Sequence, residues 1–112
     1  MSFCGDPHAG VLCLTGRLDV RATPDLRPVL HRAVDRGRGD LVLDMSAVEF
    51  VDATGLGLLV GVHRRAERRA RRLVLRGIPP QCGRLLVITR LHRILHVEWA
   101  VAASARVVVA SL

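Results

Sequence analysis

A chain of 112 residues, half of them hydrophobic, is the size of one ordinary domain and has enough apolar side chains for a real core, which argues against disorder. Its 17 basic residues, all arginine, outweigh 10 acidic ones for a net charge of +7, which raises the question of an anionic partner. No apolar run approaches the roughly 18 residues of a membrane span, and the start of the chain lacks the basic-then-apolar pattern of an export signal, so a cytoplasmic protein is expected.

In chain order, residues 1–10 contain Gly5, Pro7 and Gly10 and read as a loosely ordered lead-in with, at most, a short edge strand. Val11 to Thr15 is an apolar run of strand length stopped by Gly16. Cys13 falls inside it as a small core residue. The cysteines Cys4, Cys13 and Cys82 are odd in number and lack metal-type spacing, so no disulfide framework is expected. Arg17 to Ala22 reads as a loop with one buried residue, Leu18. Thr23 is the expected N-cap of a helix with Pro24 at its first position. Leu26, Val29, Leu30, Ala33 and Val34 give that helix one apolar face, and Gly37 ends it. Asp40 to Asp44 is a second strand, apolar enough for a central position. A short connection follows, in which Val48, Phe50 and Val51 are expected to pack inward.

The principal helix is expected from about Thr54 to Arg71, with Leu56, Leu59, Val60, His63, Ala66, Glu67 and Ala70 on or near its inner stripe. Gly55, Gly57 and Gly61 lower its propensity by up to about 1 kcal/mol each relative to Ala; their spacing suggests close approach to the sheet. Arg72 to Arg76 is a third strand. Pro80 to Thr89 is a shorter helix with Leu85, Leu86 and Ile88 inward. Leu91 is expected buried in the next turn, and Ile94 to Glu98 forms a strand. Ala100 to Leu112 is ambiguous: alanine favours helix, whereas Val107, Val108 and Val109 favour strand. Strands alternating with helices argue for an α/β layer structure.

The informative stretch is Asp52-Ala53-Thr54-Gly55-Leu56-Gly57. An acid and a hydroxyl just before an apolar-periodic run mark a helix N-terminus, with unpaired N–H groups and a positive dipole end. On the residues alone, Thr54 is either a simple cap or a modifiable hydroxyl, and Asp52 is a second capping candidate. Asp19 is a turn residue able to bond local backbone. The arginine run from Arg64 to Arg72 is either a solvated helix face or a surface for an acidic partner or nucleic acid. It lacks interleaved aromatics for base stacking, and the chain shows no helix-turn-helix pattern, so no direct nucleic-acid contact is expected. His92 and His96 are expected on different elements, which argues against a metal site. Trp99 is expected as a core or interface aromatic. No nucleophile elbow or phosphate-binding loop is present; the chain is not expected to be an enzyme or to carry a cofactor.

The same stretch resembles the Asp-Ser-Ser/Thr-Gly-Leu-Gly signature of STAS domains, specifically bacterial anti-sigma factor antagonists. The resemblance extends to Leu14-Thr15-Gly16-Arg17-Leu18-Asp19-Val20, Leu41-Val42-Leu43-Asp44-Met45-Ser46, Leu73-Val74-Leu75 and Leu91-His92-Arg93-Ile94-Leu95. It implies one STAS-like domain over residues 1–112: a mixed sheet of four or five strands, helices mainly on one side, and a C-terminal helix. It implies phosphorylation at Thr54, with Asp19, Asp52, Ala53, Gly55 and Leu56 as partner-binding residues. Ala53 departs from the family, which usually has Ser there. The implied partners are an anti-sigma factor that is also a Ser/Thr kinase and a phosphatase that resets Thr54; the unphosphorylated protein would free a sigma factor. The alternatives are a non-switching STAS subunit of a transporter or stress complex and, behind it, a basic nucleic-acid-binding domain suggested by the net charge and the Arg64–Arg72 run.

Overall fold

The computed structural model describes residues 2–4, 10–100 and 107–110, with side chains over 10–98. The elements are β1 (Ser2–Cys4), β2 (Val11–Leu18), α1 (Thr23–Arg36), β3 (Asp40–Val51), α2 (Ala53–Arg68), β4 (Arg72–Arg76), α3 (Pro80–Ile88), a 3-10 turn (Leu91–Arg93), β5 (His96–Ala100) and β6 (Val107–Ala110). The expectations for the Cys4 and Trp99 side chains, and for residues 5–9, 101–106 and 111–112, lie outside the described residues.

The strands form one mixed sheet in sequence order, β1 to β6. The four inner strands are parallel and the two outer pairings antiparallel. Each parallel step is bridged by a helix, and the order always advances in one direction. Right-handed crossovers therefore lay α1, α2 and α3 on the same face. Leu12 and Leu14 of β2, Leu41, Leu43 and Met45 of β3, and Leu73 and Leu75 of β4 meet Leu30 and Val34 of α1, Leu59 and Val62 of α2, and Leu86 of α3 in a single core. The strand residues alternate as one buried sheet face requires.

Several expectations are corrected. Gly16 does not stop β2: at φ 90° it takes a left-handed conformation within the strand, and the β2–β3 register shifts beside it. The partner strand β3 runs on to Val51 in place of the expected connection. The irregular register turns Phe50 outward, 38% exposed, while Val48 and Val51 stay buried. Thr23 is not the cap of α1. It is buried, and its hydroxyl donates to the Asp19 carbonyl at 2.8 Å.

The inner face of α2 consists of Leu56, Leu58, Leu59, Val62, His63 and Ala66, beside Gly55, while Glu67 and Ala70 are exposed and Val60 is only half-buried. That helix ends at Arg68 because Ala70 takes a left-handed φ of 55° and the Arg71 N–H turns back to the Ala66 carbonyl. Arg71, expected in the solvated run, is buried: its guanidinium donates to the carbonyls of Ala33, Val34 and Gly39 at the end of α1. Leu91 is half-buried against the core, and Ile88 is 75% exposed. The valines from Val107 pair with β5 as a strand, so the helix implied by the resemblance is absent there and the strand count among the described residues is six. Cross-strand pairing at a free sheet edge overrides the helix preference of the surrounding alanines.

Candidate functional site

The site forms where β2 and β3 hand over to α1 and α2. At the end of β3, Asp52 leaves the strand in an extended conformation and caps α2: its Oδ1 accepts from the Gly55 N–H at 2.9 Å. Its Oδ2 accepts from the Val20 N–H at 3.1 Å, and its own N–H donates to the Leu18 carbonyl at 3.2 Å. One aspartate thus ties α2 to the end of β2 and to the turn that follows it. Asp19 holds the turn that leads into α1, whose own N-cap, Ala22, makes no side-chain cap bond. The Asp19 Oδ1 accepts from the N–H groups of Arg21 and Ala22, each at 3.1 Å, and its carbonyl accepts from the Thr23 N–H at 3.0 Å. The Ala22 N–H, followed by the Arg17 guanidinium and the Arg21 N–H, holds the Asp19 carboxyl below its ordinary range against an opposing pull from burial. Both carboxylates accept from backbone N–H groups beside helix starts, and the second Asp19 oxygen accepts from the Arg17 Nε at 3.3 Å.

Thr54 follows in the first turn of α2, exposed beside exposed Ala53. Gly55 shows why it faces outward. Its Cα lies so close to β2 that an added Cβ would sit 2.2 Å from the Leu18 carbonyl oxygen. The next residue, Leu56, is in the core at 8% exposure. With Gly55 and Leu56 inward, helix geometry turns Ala53 and Thr54 to solvent. Neither Gly57 nor Gly61 has an atom within 4 Å of its would-be Cβ, so the close-approach argument holds for Gly55 alone.

The structure therefore brings Asp19, Asp52, Ala53 and Thr54 to one surface and puts Gly55 and Leu56 beneath it. Sequence reasoning missed three neighbours. Val20 is 60% exposed in the β2–α1 turn, and Arg17 lies over the outward Phe50 ring, 4.2 Å from its centroid. Arg17 and Phe50 are register partners on β2 and β3, a pairing visible only once the bulge is known. Beside them, a cleft of about 430 Å³ is lined by Arg17, Asp19, Arg21 and Asp25 on its rim and by Leu26 and Val29. Small apolar patches next to fixed polar groups suit protein recognition.

Other candidates are placed elsewhere. His92 sits in the 3-10 turn, its Nδ1 3.2 Å from the Leu86 carbonyl, whereas His96 begins β5. His63 is buried in α2 with its Nε2 3.2 Å from Glu67. Among the described residues no group of three His, Cys, Asp or Glu side chains is placed to hold a metal ion, and no helix is long and apolar enough to cross a membrane. Of the arginine run, Arg65 and Arg69 reach Asp35, Arg72 reaches Asp40, and Arg64 and Arg68 are exposed.

Comparison with known proteins converges on one family. The family model described as "Mlab, STAS domain" matches residues 1–97. The anti-sigma-B factor antagonist of Staphylococcus aureus is 35% identical over 83 residues, covering 74% of this chain and 77% of that protein. Among solved structures, the anti-sigma factor antagonist SpoIIAA in its unphosphorylated form is 25% identical, with a TM-score of 0.58 over 70% of this chain and 72% of that one. An anti-sigma factor antagonist from Mycobacterium paratuberculosis shares the fold at a TM-score of 0.73, with 24% identity over 93% of this chain and 89% of that one.

Proposed function

The chain belongs to the STAS domain family, among the anti-sigma factor antagonists, and on that premise we propose that it captures an anti-sigma factor and is released by phosphorylation of Thr54. The observation that carries this reading is the exposed Thr54 hydroxyl in the first turn of α2, beside two carboxylates already committed to backbone donors. The partner is an anti-sigma factor that is also a Ser/Thr kinase, acting in the cytoplasm. A phosphatase resets the residue. The protein itself binds and does no chemistry.

The switch follows from charge. A phosphoryl group adds about −1.5 to −2 charge at neutral pH. The helix start accommodates that charge through its free N–H groups and dipole, so the domain stays folded. A partner packed over Val20, Phe50, Ala53 and Thr54 faces a bulky hydrated anion next to Asp52, and binding is lost through desolvation and repulsion. Gly55 and Leu56 support this surface from below. Asp19 and Asp52 fix its shape.

The test is to recover the kinase that co-purifies with the protein, add ATP and Mg²⁺, and map the modification by mass spectrometry. Modification at Thr54 is expected, together with loss of kinase binding by Thr54→Glu. Labelling of Thr54→Ala as strongly as the unaltered protein rejects the assignment.

A further inference from the structure

The net charge is not spread over the molecule. Residues 27–40 and 61–72 hold ten arginines against three acids, +7, while the remainder of the chain holds seven of each. These two segments cover most of α1 and the C-terminal half of α2, with the turns that follow them and the first residues of β3 and β4. Eight of the ten arginines are exposed. The two helices touch here: the Arg65 Nε and Nη2 grip both oxygens of Asp35 at 2.9 and 2.6 Å, and the Arg69 Nε approaches it at 3.4 Å. Arg27, Arg65 and Arg68 all act on His31, in the middle of α1, and help hold its imidazole below its ordinary value after burial itself. That marks a shared positive field over the α1–α2 ridge.

Helix capping does not account for it. A macrodipole puts about half a negative charge at each helix end, so two helices call for roughly one compensating cation. Internal ion pairing does not account for it either, since the three acids leave seven guanidiniums in excess, six once the buried Arg71 is set aside. Against the sequence-based expectation of no direct nucleic-acid contact, which rested on base stacking and helix-turn-helix readout, we propose that the α1–α2 ridge is a docking face for the phosphate backbone of duplex nucleic acid, held by charge and not by base sequence. Guanidinium forks match phosphate oxygens in bidentate geometry. Each strand of a duplex presents about one charge per 3.4 Å of axis. A row of carboxylates on one stripe of a partner helix offers one about every 6 Å, a poorer match to this density. Neither segment contains a Phe, Trp or Tyr, so stacking on unpaired bases is not available and the double-stranded form is the fitting ligand. The inference stands apart from the Thr54 switch and uses none of its residues.

The experiment is fluorescence anisotropy of a labelled 20-base-pair duplex of arbitrary sequence with the whole chain. Binding is expected at 50 mM salt. With four phosphate contacts the log–log salt slope is about −3.6, so affinity falls about 150-fold by 200 mM. The Arg27→Glu/Arg68→Glu variant roughly halves the slope. Arg84→Glu/Arg93→Glu, the same charge change at exposed positions elsewhere, costs much less. Bound duplex raises the His31 pKa, read by NMR, and Thr54→Glu leaves duplex affinity unchanged at about 150 mM salt. No anisotropy change at 50 mM salt, equal losses from the two double variants, or tighter binding of a ten-glutamate peptide than of the duplex overturns the proposal.

Discussion

Two glycines two residues apart in α2 should respond to alanine with opposite signs. At Gly55 the new Cβ would meet the Leu18 carbonyl oxygen at 2.2 Å, where ordinary contact begins near 3.4 Å. The obstacle is backbone, so no rotamer change relieves it; α2 must move off β2 by more than 1 Å. That movement strains the bonds from Asp52 N–H to Leu18 and from Val20 N–H to Asp52. Overpacking costs about 1–3 kcal/mol, each weakened bond about 1 kcal/mol, and the gain in helix propensity returns about 1 kcal/mol. The net expectation is a loss of about 3 kcal/mol, or about 12 °C in Tm for a chain of this length. Gly57 is exposed and meets nothing within 4 Å, so Gly57→Ala should gain up to about 1 kcal/mol from propensity alone. Urea and thermal unfolding followed by circular dichroism measure both. Equal stability of Gly55→Ala and the parent, or similar losses from both changes, would refute the claim that α2 rests directly on the β2 backbone.

Other outcomes follow from the same packing. Arg71→Met leaves the carbonyls of Ala33, Val34 and Gly39 without their donor and should cost about 3–5 kcal/mol in urea unfolding; Arg71→Lys should recover only part. Ala70→Gly relieves a left-handed φ of 55° at the end of α2 and should raise the urea midpoint by up to about 1 kcal/mol of stability. His31 and His96 are both held below the ordinary 6.5, by burial first, then by Arg65 and Arg27 for His31 and by Arg72 and His63 for His96. The unfolded chain therefore binds protons that the fold refuses, so stability is full above 6.5, declines as pH falls below it, and levels off under the folded values. The urea midpoint should be lower at pH 5.5 than at 7.5, and His31→Gln with His96→Gln should flatten that difference.

Local signals carried the parts of the fold that depend on local physics. The apolar spacing from Leu26 to Val34 marked α1, and the acid–hydroxyl–glycine run located the start of α2 to within a residue. The cap itself was ambiguous because Asp52 and Thr54 both suit a helix start; only the Gly55 N–H pointing at Asp52 decides it. Phe50 was misplaced because its facing is set by a register shift between two strands, and alternation within one strand carries no trace of it. Arg71 read as one more member of a charged run, since its burial depends on where the carbonyls of α1 end, 32 to 38 residues away. The β6 pairing is likewise a long-range event at the edge of β5. The proposed partner surface was half legible: Thr54 and its acids appear as a motif, but Val20, Phe50 and Arg17 join them only through the fold.

The two ends of α2 also define how far the proposed Thr54 switch should reach. With 16 residues, the helix is about 24 Å long. At physiological ionic strength the screening length is about 8 Å, so a phosphoryl group at Thr54, about 16–21 Å along the axis from Arg65 and Arg68, lies two to three screening lengths from the arginines of the last turn. Its charge should leave the α1–α2 ridge unaffected, and duplex affinity at 150 mM salt should be the same for Thr54→Glu and the parent. At 10 mM salt the screening length grows to about 30 Å and exceeds the helix. The added negative charge should then weaken duplex binding measurably. A mutational effect already present at 150 mM and insensitive to salt would mean that the two surfaces are linked through the structure of α2 and not through its field.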